Sequence, residues 1–179
     1  MATRSVFSSV QKIPISDWEK VLNNNNIYLS LPYLSALEKT MSTEIDFYYV
    51  ISYDQNKTPF QISVFQLVQL NDKRRKYGEQ LCKISGHITK KIIDAFTINI
   101  LVCGNVFANG ENGFYTIPSI SEEKAIEEII ETTEELKKTP AIKDKSSITL
   151  FKEFWPASEV FSDKLKEEIL TKAVVHGKV

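Results

Sequence analysis

The run Thr97-Ile98-Asn99-Ile100-Leu101-Val102-Cys103 is the most strand-like stretch in this chain of 179 residues. It is rich in β-branched and apolar residues, it has the length of a typical strand, and Gly104 follows it directly. Apolar side chains on both faces are typical of a strand that lies deep in a sheet. We therefore expect residues 97–103 to form the buried central strand of the fold.

Amphipathic helices are predicted on either side of this strand in the sequence. Before it, apolar residues recur at intervals of three and four over 81–96. After it, the same pattern covers 121–138, with acidic residues at the first turn and lysines at the last, as the helix dipole favours. The positions expected to face inward are Ala125, Ile126, Ile129, Ile130, Thr133 and Leu136. The carboxylates between them are expected on a solvated outer face.

The N-terminal part predicts two short helices in tandem. Ser16 and Glu19 have the spacing of a capping box, which would begin the first helix. Four asparagines at 23–26 tolerate left-handed backbone and should end it. A second helix is expected after Ser30, with Pro32 in its first turn.

The remaining elements complete a mixed domain. A first strand is expected near Val6 to Val10, and aromatic and β-branched residues predict an antiparallel hairpin from strands at 47–53 and 61–70. The second hairpin strand carries apolar residues on both faces and is expected to be central. A short strand at 147–151 and a helix over 161–175 follow. The fold class is therefore α/β (α+β), with a mixed, largely antiparallel sheet flanked by helices, in a single domain over 1–179.

Composition excludes several classes of function. Lys and Arg (22) nearly balance Asp and Glu (23), so no overall field attracts nucleic acid, and no stretch approaches the roughly 20 apolar residues that span a bilayer. The two cysteines, Cys82 and Cys103, form neither a disulfide framework nor a metal-ligand spacing. We expect a cytoplasmic protein that has neither a nucleic-acid partner nor a membrane span.

The glycine-marked segment after the central strand is the best candidate site. Gly104, Asn105, Gly110 and Gly113 could let backbone amides approach a phosphate or carboxylate at the carboxyl end of a strand. Their spacing fits neither the Walker loop nor the dinucleotide fingerprint. The alternative is that these residues simply form the turns of a protruding loop.

Other reactive residues favour ordinary structural roles. The basic run at 73–76 could meet an acidic partner, but it is typical of a solvated loop. His87 and His176 have no carboxylate or cysteine at ligand spacing. Cys103 could be a nucleophile at a strand tip, but it follows apolar residues and fits a buried packing role.

The order of these elements parallels the GCN5-related N-acetyltransferase (GNAT) fold. Three segments sharpen the resemblance: Leu29-Ser30-Leu31-Pro32-Tyr33-Leu34-Ser35-Ala36-Leu37-Glu38, then Val102-Cys103-Gly104-Asn105-Val106-Phe107 with Gly110 and Gly113-Phe114, then Leu150-Phe151-Lys152-Glu153-Phe154. The chain resembles the N-terminal half of bacterial GNAT-like, FemAB-related proteins of acyl transfer or peptidoglycan biosynthesis. The similarity covers most of the chain.

The resemblance implies a function shared between two halves. In that family two acyltransferase-like halves follow each other, and the acyl donor is expected mainly at the C-terminal half, so this chain would be the N-terminal part of a longer protein. The GNAT pyrophosphate loop carries Gln or Arg before closely spaced glycines, whereas the segment from Gly104 to Gly113 has neither this lead nor this spacing. The strand pair that closes the GNAT sheet is also missing from the predicted elements.

Three hypotheses follow. In the first, the chain is the N-terminal GNAT-like domain of an acyl- or aminoacyl-transferring protein and forms an acceptor groove or scaffold for a small molecule or cell-wall precursor. In the second, it is a complete small acetyltransferase that binds acetyl-coenzyme A, or another acyl donor, at Gly104, Asn105, Gly110 and Gly113. In the third, it is a non-catalytic module that docks a C-terminal half or a second copy through apolar residues around Phe154, Trp155 and Phe161.

Overall fold

The computed structural model of the chain describes residues 2–23, 26–70, 98–108, 113–143, 148–151 and 163. The strands are β1 (Thr3–Phe7), β2 (Ile45–Tyr53), β3 (Pro59–Leu70), β4 (Ile98–Cys103), β5 (Phe114–Thr116) and β6 (Ile148–Phe151). The helices are α1 (Ile15–Leu22), α2 (Leu31–Met41) and α3 (Glu122–Lys138). Short 3-10 turns occur at Val10–Lys12 and Ile27–Leu29.

The six strands form one sheet in the order β1-β2-β3-β4-β6, with β5 paired to β3 beside β4. The β1–β2, β2–β3, β3–β4 and β3–β5 pairs are antiparallel, and β4 and β6 run parallel. The parallel pair needs a crossover, and α3 supplies it. The mixed, largely antiparallel sheet flanked by helices is therefore confirmed.

The centre of this sheet is β3 rather than β4. β3 pairs with β2 on one side and with β4 and β5 on the other. Ile62 and Val64 on one face and Phe65 and Leu67 on the other are all at most 5% exposed. The run at 97–103 predicted as central lies one strand away from the edge formed by β6. Both strands are apolar on both faces, so the pattern could not rank them.

The two N-terminal helices cover one face of the sheet. Trp18 of α1 is fully buried there, and its indole Nε1 donates to the carbonyl oxygen of Leu29 at 2.9 Å. Asn23 ends α1 in the left-handed region with φ of 44°, as the asparagine run predicted. The capping box is wrong, because α1 begins at Ile15 with Pro14 at its N-cap and makes no side-chain cap.

Helix α3 covers the opposite face. Ser121 caps it and Thr139 follows its last residue, so its bounds agree with the prediction. The six positions predicted to face inward are buried. The prediction for its carboxylates is wrong at Glu128, which is 7% exposed, because Arg4 of β1 reaches across the sheet face to it.

The remaining predicted elements are confirmed, corrected or outside the described residues. The first strand, expected near Val6 to Val10, is Thr3–Phe7, and Val10 instead begins a 3-10 turn capped by Ser9. The strand expected at 147–151 is confirmed as β6. The predicted helix over 81–96 and the apolar residues at 154, 155 and 161 lie outside the described residues, as does the helix predicted over 161–175 apart from residue 163.

Candidate functional site

The loop after β4 separates β4 from β5. These two strands pair with consecutive parts of β3, so without the loop they would form one continuous strand. The amide of Gly104 donates to the carbonyl oxygen of Val64 at 3.0 Å, and the amide of Val64 donates to the carbonyl oxygen of Gly113 at 2.8 Å. Cys103 pairs with Phe65 on one side of Val64, and Phe114 pairs with Ser63 on the other. The chain thus leaves the sheet at Gly104 and rejoins it at Gly113, with its base closed on one residue of β3.

Both described glycines of this loop are needed for its geometry. Gly104 has φ of 131°, a value that side chains other than hydrogen rarely allow. At Gly113 an added Cβ would lie 3.0 Å from the Cys103 Sγ atom and 3.1 Å from the Cys103 carbonyl oxygen. The two strand ends therefore pack against each other at a distance that only glycine permits.

Asn105 is the buried centre of the loop. It is 2% exposed, and its Nδ2 donates to the Tyr33 hydroxyl of α2 at 2.8 Å while its Oδ1 accepts from the Phe107 amide at 2.9 Å. The amide of Val106 donates to Oε1 of Gln66, which is fully buried in β3. Asn105 therefore joins the loop to α2, and Gln66 joins it to the sheet.

Four backbone amides of the loop donate within the protein. The amide of Gly104 donates to Val64, and the amide of Val106 donates to Gln66. The amide of Phe107 donates to the side chain of Asn105, and the amide of Ala108 donates to its carbonyl oxygen. A phosphate cradle requires amides that point at the ligand. The described part of the loop directs these amides inward instead, and it presents side chains to solvent.

The side chains beside this loop are aromatic and apolar. Phe107 is 54% exposed, and Ile27 in the turn before α2 is 70% exposed. Tyr28 and Tyr33 meet edge to face, with their ring centroids 5.4 Å apart. Because the Tyr33 hydroxyl accepts from Asn105, one contact links these rings to the loop. We call Tyr28, Tyr33 and Phe107 the aromatic surface.

Cys103 lies at the base of the loop and is 3% exposed. Burial alone raises the pKa of its thiol well above the ordinary value, so the thiol stays protonated at neutral pH. It packs with Phe65 and Leu101 in the core beneath α3. Its predicted role as a packing residue is confirmed.

Several candidate residues lie outside the described part of the chain. Gly110, the histidines at 87 and 176 and the basic run at 73–76 are among them. Within the described residues, no cluster of three or more His, Cys, Asp or Glu could hold a metal ion. Of the helices in the same ranges, none is long and apolar enough to cross a membrane.

One partly buried ionic cluster had no signal in the sequence. The Arg4 guanidinium contacts Glu128, Glu131 and Glu135, which recur along one side of α3. Burial lowers the pKa of Arg4, but the hydrogen bonds to Glu128 and Glu131 outweigh it, and the pKa is raised overall. This cluster fixes the edge strand β1 to α3. The four side chains form ion pairs with one another, so we assign the cluster a structural role.

Comparison of the chain with protein-family models, with curated proteins and with solved structures finds no match.

Proposed function

We propose that this chain is a GNAT-like domain of an acyl- or aminoacyl-transferring protein, in which it supplies scaffold and an acceptor-binding surface rather than the acyl-donor site. The observation that carries the proposal is the inward direction of the four loop amides after β4. A domain that held the pyrophosphate of coenzyme A at this loop would need such amides for its ligand.

The order of elements supports the acyltransferase part of the proposal. From β1 to β6 the described elements are a strand, two short helices, a hairpin, a strand, the three-residue strand β5, a long helix and a further strand. The resemblance to the GNAT fold rests on this order without β5, together with the helices predicted over 81–96 and 161–175, of which the structure describes only residue 163.

The aromatic surface supports the acceptor part. Exposed rings at a loop held by a rigid sheet are typical of recognition sites, because they offer a large contact area at little cost in conformational entropy. Phe107 projects from the loop that β3 closes at its base, and Tyr33 is fixed by Asn105. An acceptor molecule bound there would lie beside the carboxyl end of β4.

Two measurements test this proposal. Calorimetric titration with coenzyme A and acetyl-coenzyme A should give no binding heat, and millimolar ligand should not raise the melting temperature. Saturation-transfer NMR with amino sugars, amino acids and short peptides should find an acceptor whose binding is lost in Phe107→Ser. Ile15→Ser is the matched control, because Ile15 is an exposed apolar residue of α1.

Each measurement has an outcome against the proposal. Saturable binding of acetyl-coenzyme A would overturn the scaffold role and favour a complete acetyltransferase. An acceptor that binds Phe107→Ser as well as the parent chain would remove the aromatic surface from the site.

A second function, a docking module, is favoured by β6, which is the last strand of the sheet among the described residues. Ile148 and Leu150 are 50% and 46% exposed, and they lie on the face opposite α3, since their partners are Ile100 and Val102. If a second copy covers this strand, light scattering at high concentration should give a dimer that Leu150→Lys dissociates. A strict monomer would exclude self-association through β6.

A further inference from the structure

The outer edge of β1 lies on the side of the sheet opposite to β6. Among the described residues β1 pairs with β2 alone and is the last strand on that side. Thr3 is exposed, and Val6 is 45% exposed. In an antiparallel pair every second residue directs its backbone N–H and C=O away from the neighbouring strand. The edge of β1 therefore offers backbone donors and acceptors to a further strand.

This edge lacks the features that usually prevent a further strand from pairing. Natural edges are protected by proline, by bulges or by charged side chains, lysine above all. Thr3–Phe7 contains no proline, and its five pairs with β2 follow one another without a bulge. Its one charged side chain, Arg4, is 5% exposed because it is turned toward the carboxylates of α3. The edge can therefore accept an added strand.

The charge beside this edge selects the kind of strand. One side of α3 packs against Phe151 of β6, and the other side reaches Arg4 of β1 with three carboxylates. Because one guanidinium faces three carboxylates, this side of α3 stays negative. Glu131 and Glu135 are 58% and 57% exposed, and each accepts from Arg4 at one oxygen. The other oxygen of each can accept from a cation on an added strand.

The unpaired edge and the charge beside it fit one class of partner. We propose that the outer edge of β1 binds an extended segment of a partner protein, whose lysine or arginine side chains on the α3 face pair with Glu131 and Glu135. Main-chain hydrogen bonds give such a strand affinity, and its alternate side chains give specificity. Apolar side chains on the opposite face would lie beside Phe7, which packs against the core beneath α1 and α2. The proposal uses neither the aromatic surface nor the loop after β4, so it does not depend on the function proposed above.

NMR titration of the uniformly ¹⁵N-labelled full chain at pH 7 and low salt tests the inference. The probe is the end-capped peptide Lys-Val-Lys-Val-Lys-Val, which carries basic and apolar side chains on alternate faces. Saturable shifts are expected at the amides of β1, and hydrogen exchange of alternate amides in this strand should slow. The peptide Glu-Val-Glu-Val-Glu-Val reverses the charge and should give no saturable shifts. Lys-Val-Lys-Pro-Lys-Val keeps the charge but lacks a central N–H, so it should bind about tenfold more weakly.

Variants separate the strand edge from the charge. Val6→Lys places a cation on the edge that repels the basic peptide, and it should weaken binding about tenfold. Glu131→Gln combined with Glu135→Gln removes two exposed ion pairs and should weaken binding about three- to tenfold at low salt. Glu19→Gln is the matched control, because Glu19 is an exposed carboxylate of α1 on the other face of the sheet, and it should leave the affinity unchanged.

Three outcomes would overturn the inference. The first is a lack of saturable shifts in β1 at high peptide concentration. The second is binding of the glutamate or proline peptide that equals binding of the probe. The third is an affinity that neither Val6→Lys nor the double glutamine variant lowers. Unfolding curves of the variants distinguish a lost contact from a lost fold.

Discussion

The guanidinium of Arg4 in β1 binds both carboxylate oxygens of Glu128 in α3, with Nε 2.6 Å from Oε1 and Nη2 2.9 Å from Oε2. The two side chains are 5% and 8% exposed. Their residues are 124 positions apart in the chain. This pair joins an edge strand to the helix that crosses from β4 to β6.

Removal of this guanidinium should be costly. Arg4→Met leaves the buried Glu128 carboxylate without its partner, so we expect the free energy of unfolding to fall by about 3 kcal/mol. Arg4→Lys keeps the charge but cannot bind both oxygens in a fork, so its loss should be smaller. Urea unfolding at pH 7 measures both. Glu135→Gln, at a carboxylate that is 57% exposed, should change stability little, and an equal loss there would contradict the assignment.

Gly113→Ala should lower the free energy of unfolding, and because Gly113 is buried it should leave the exposed side chains unchanged. The new Cβ meets the Sγ, carbonyl oxygen and carbonyl carbon of Cys103 at 3.0–3.2 Å, and overpacking of this kind costs about 1–3 kcal/mol. Thermal unfolding measures the loss. In a Cys103→Ala background the sulfur contact disappears but the backbone contacts remain, so the penalty should shrink without vanishing. A penalty unaffected by that background would mean that the sulfur contact contributes nothing.

Stability should fall in alkaline solution because of Tyr49, which is buried, and Tyr53, which is partly buried. Burial and the hydrogen bond to Asp17 raise the pKa of Tyr53 from 10 to about 12, and burial and Glu38 raise the pKa of Tyr49. Between pH 10 and 12 the folded chain keeps the Tyr53 proton that the unfolded chain releases, so the free energy of unfolding decreases as pH rises and is unaffected by this group below pH 10.

Urea unfolding across this pH window gives the slope. Tyr53→Phe should flatten it, and Tyr49→Phe should flatten it further. Phe47→Leu is the control, since it perturbs the same core without removing a proton. A slope unchanged by both tyrosine variants would show that their hydroxyls ionise alike in the folded and unfolded chain.

The hydrogen bond between Asn105 and the Tyr33 hydroxyl should be measurable as a coupling energy between the two side chains. A double-mutant cycle with Tyr33→Phe and Asn105→Ala should give about 0.5–1.5 kcal/mol, the usual net value of a buried hydrogen bond. The control cycle pairs Asn105→Ala with Tyr53→Phe, because the Tyr53 hydroxyl donates to Asp17 instead. Its coupling should be near zero. Equal couplings in the two cycles would mean that Asn105 acts through general packing.

Helix ends that depend on neighbouring residues could be predicted from the sequence. Ser121, the acidic first turn and the closing lysines define α3, and Asn23 ends α1 in the left-handed region. The strand at 61–70 was recognised as central because both of its faces are apolar. The mixed sheet followed from this alternation of strands and helices.

Contacts between distant residues were not predictable in the same way. Nothing near Arg4 in the sequence indicates that Glu128 will face it, so the carboxylates of α3 were all assigned to solvent. β5 was missed because its three residues form a strand only by pairing with Gln61 to Ser63 of β3. In the candidate site, Gly104 and Gly113 lie at the two ends of the loop, but only the partners Val64, Gln66 and Asn105 reveal where its amides point.

The closure of the loop on Val64 has a consequence for how this protein can diversify. Because Gly104 and Gly113 hold both strand ends to one residue of β3, the register of the sheet does not depend on what lies between them. The entropic cost of a longer loop grows slowly, at about 0.6 kcal/mol for each doubling of length. A segment inserted between Ala108 and Gly113, such as a peptide tag, should therefore leave the register of the sheet unchanged, whereas Asn105 and Val106, which are bonded to Tyr33 and Gln66, must be kept.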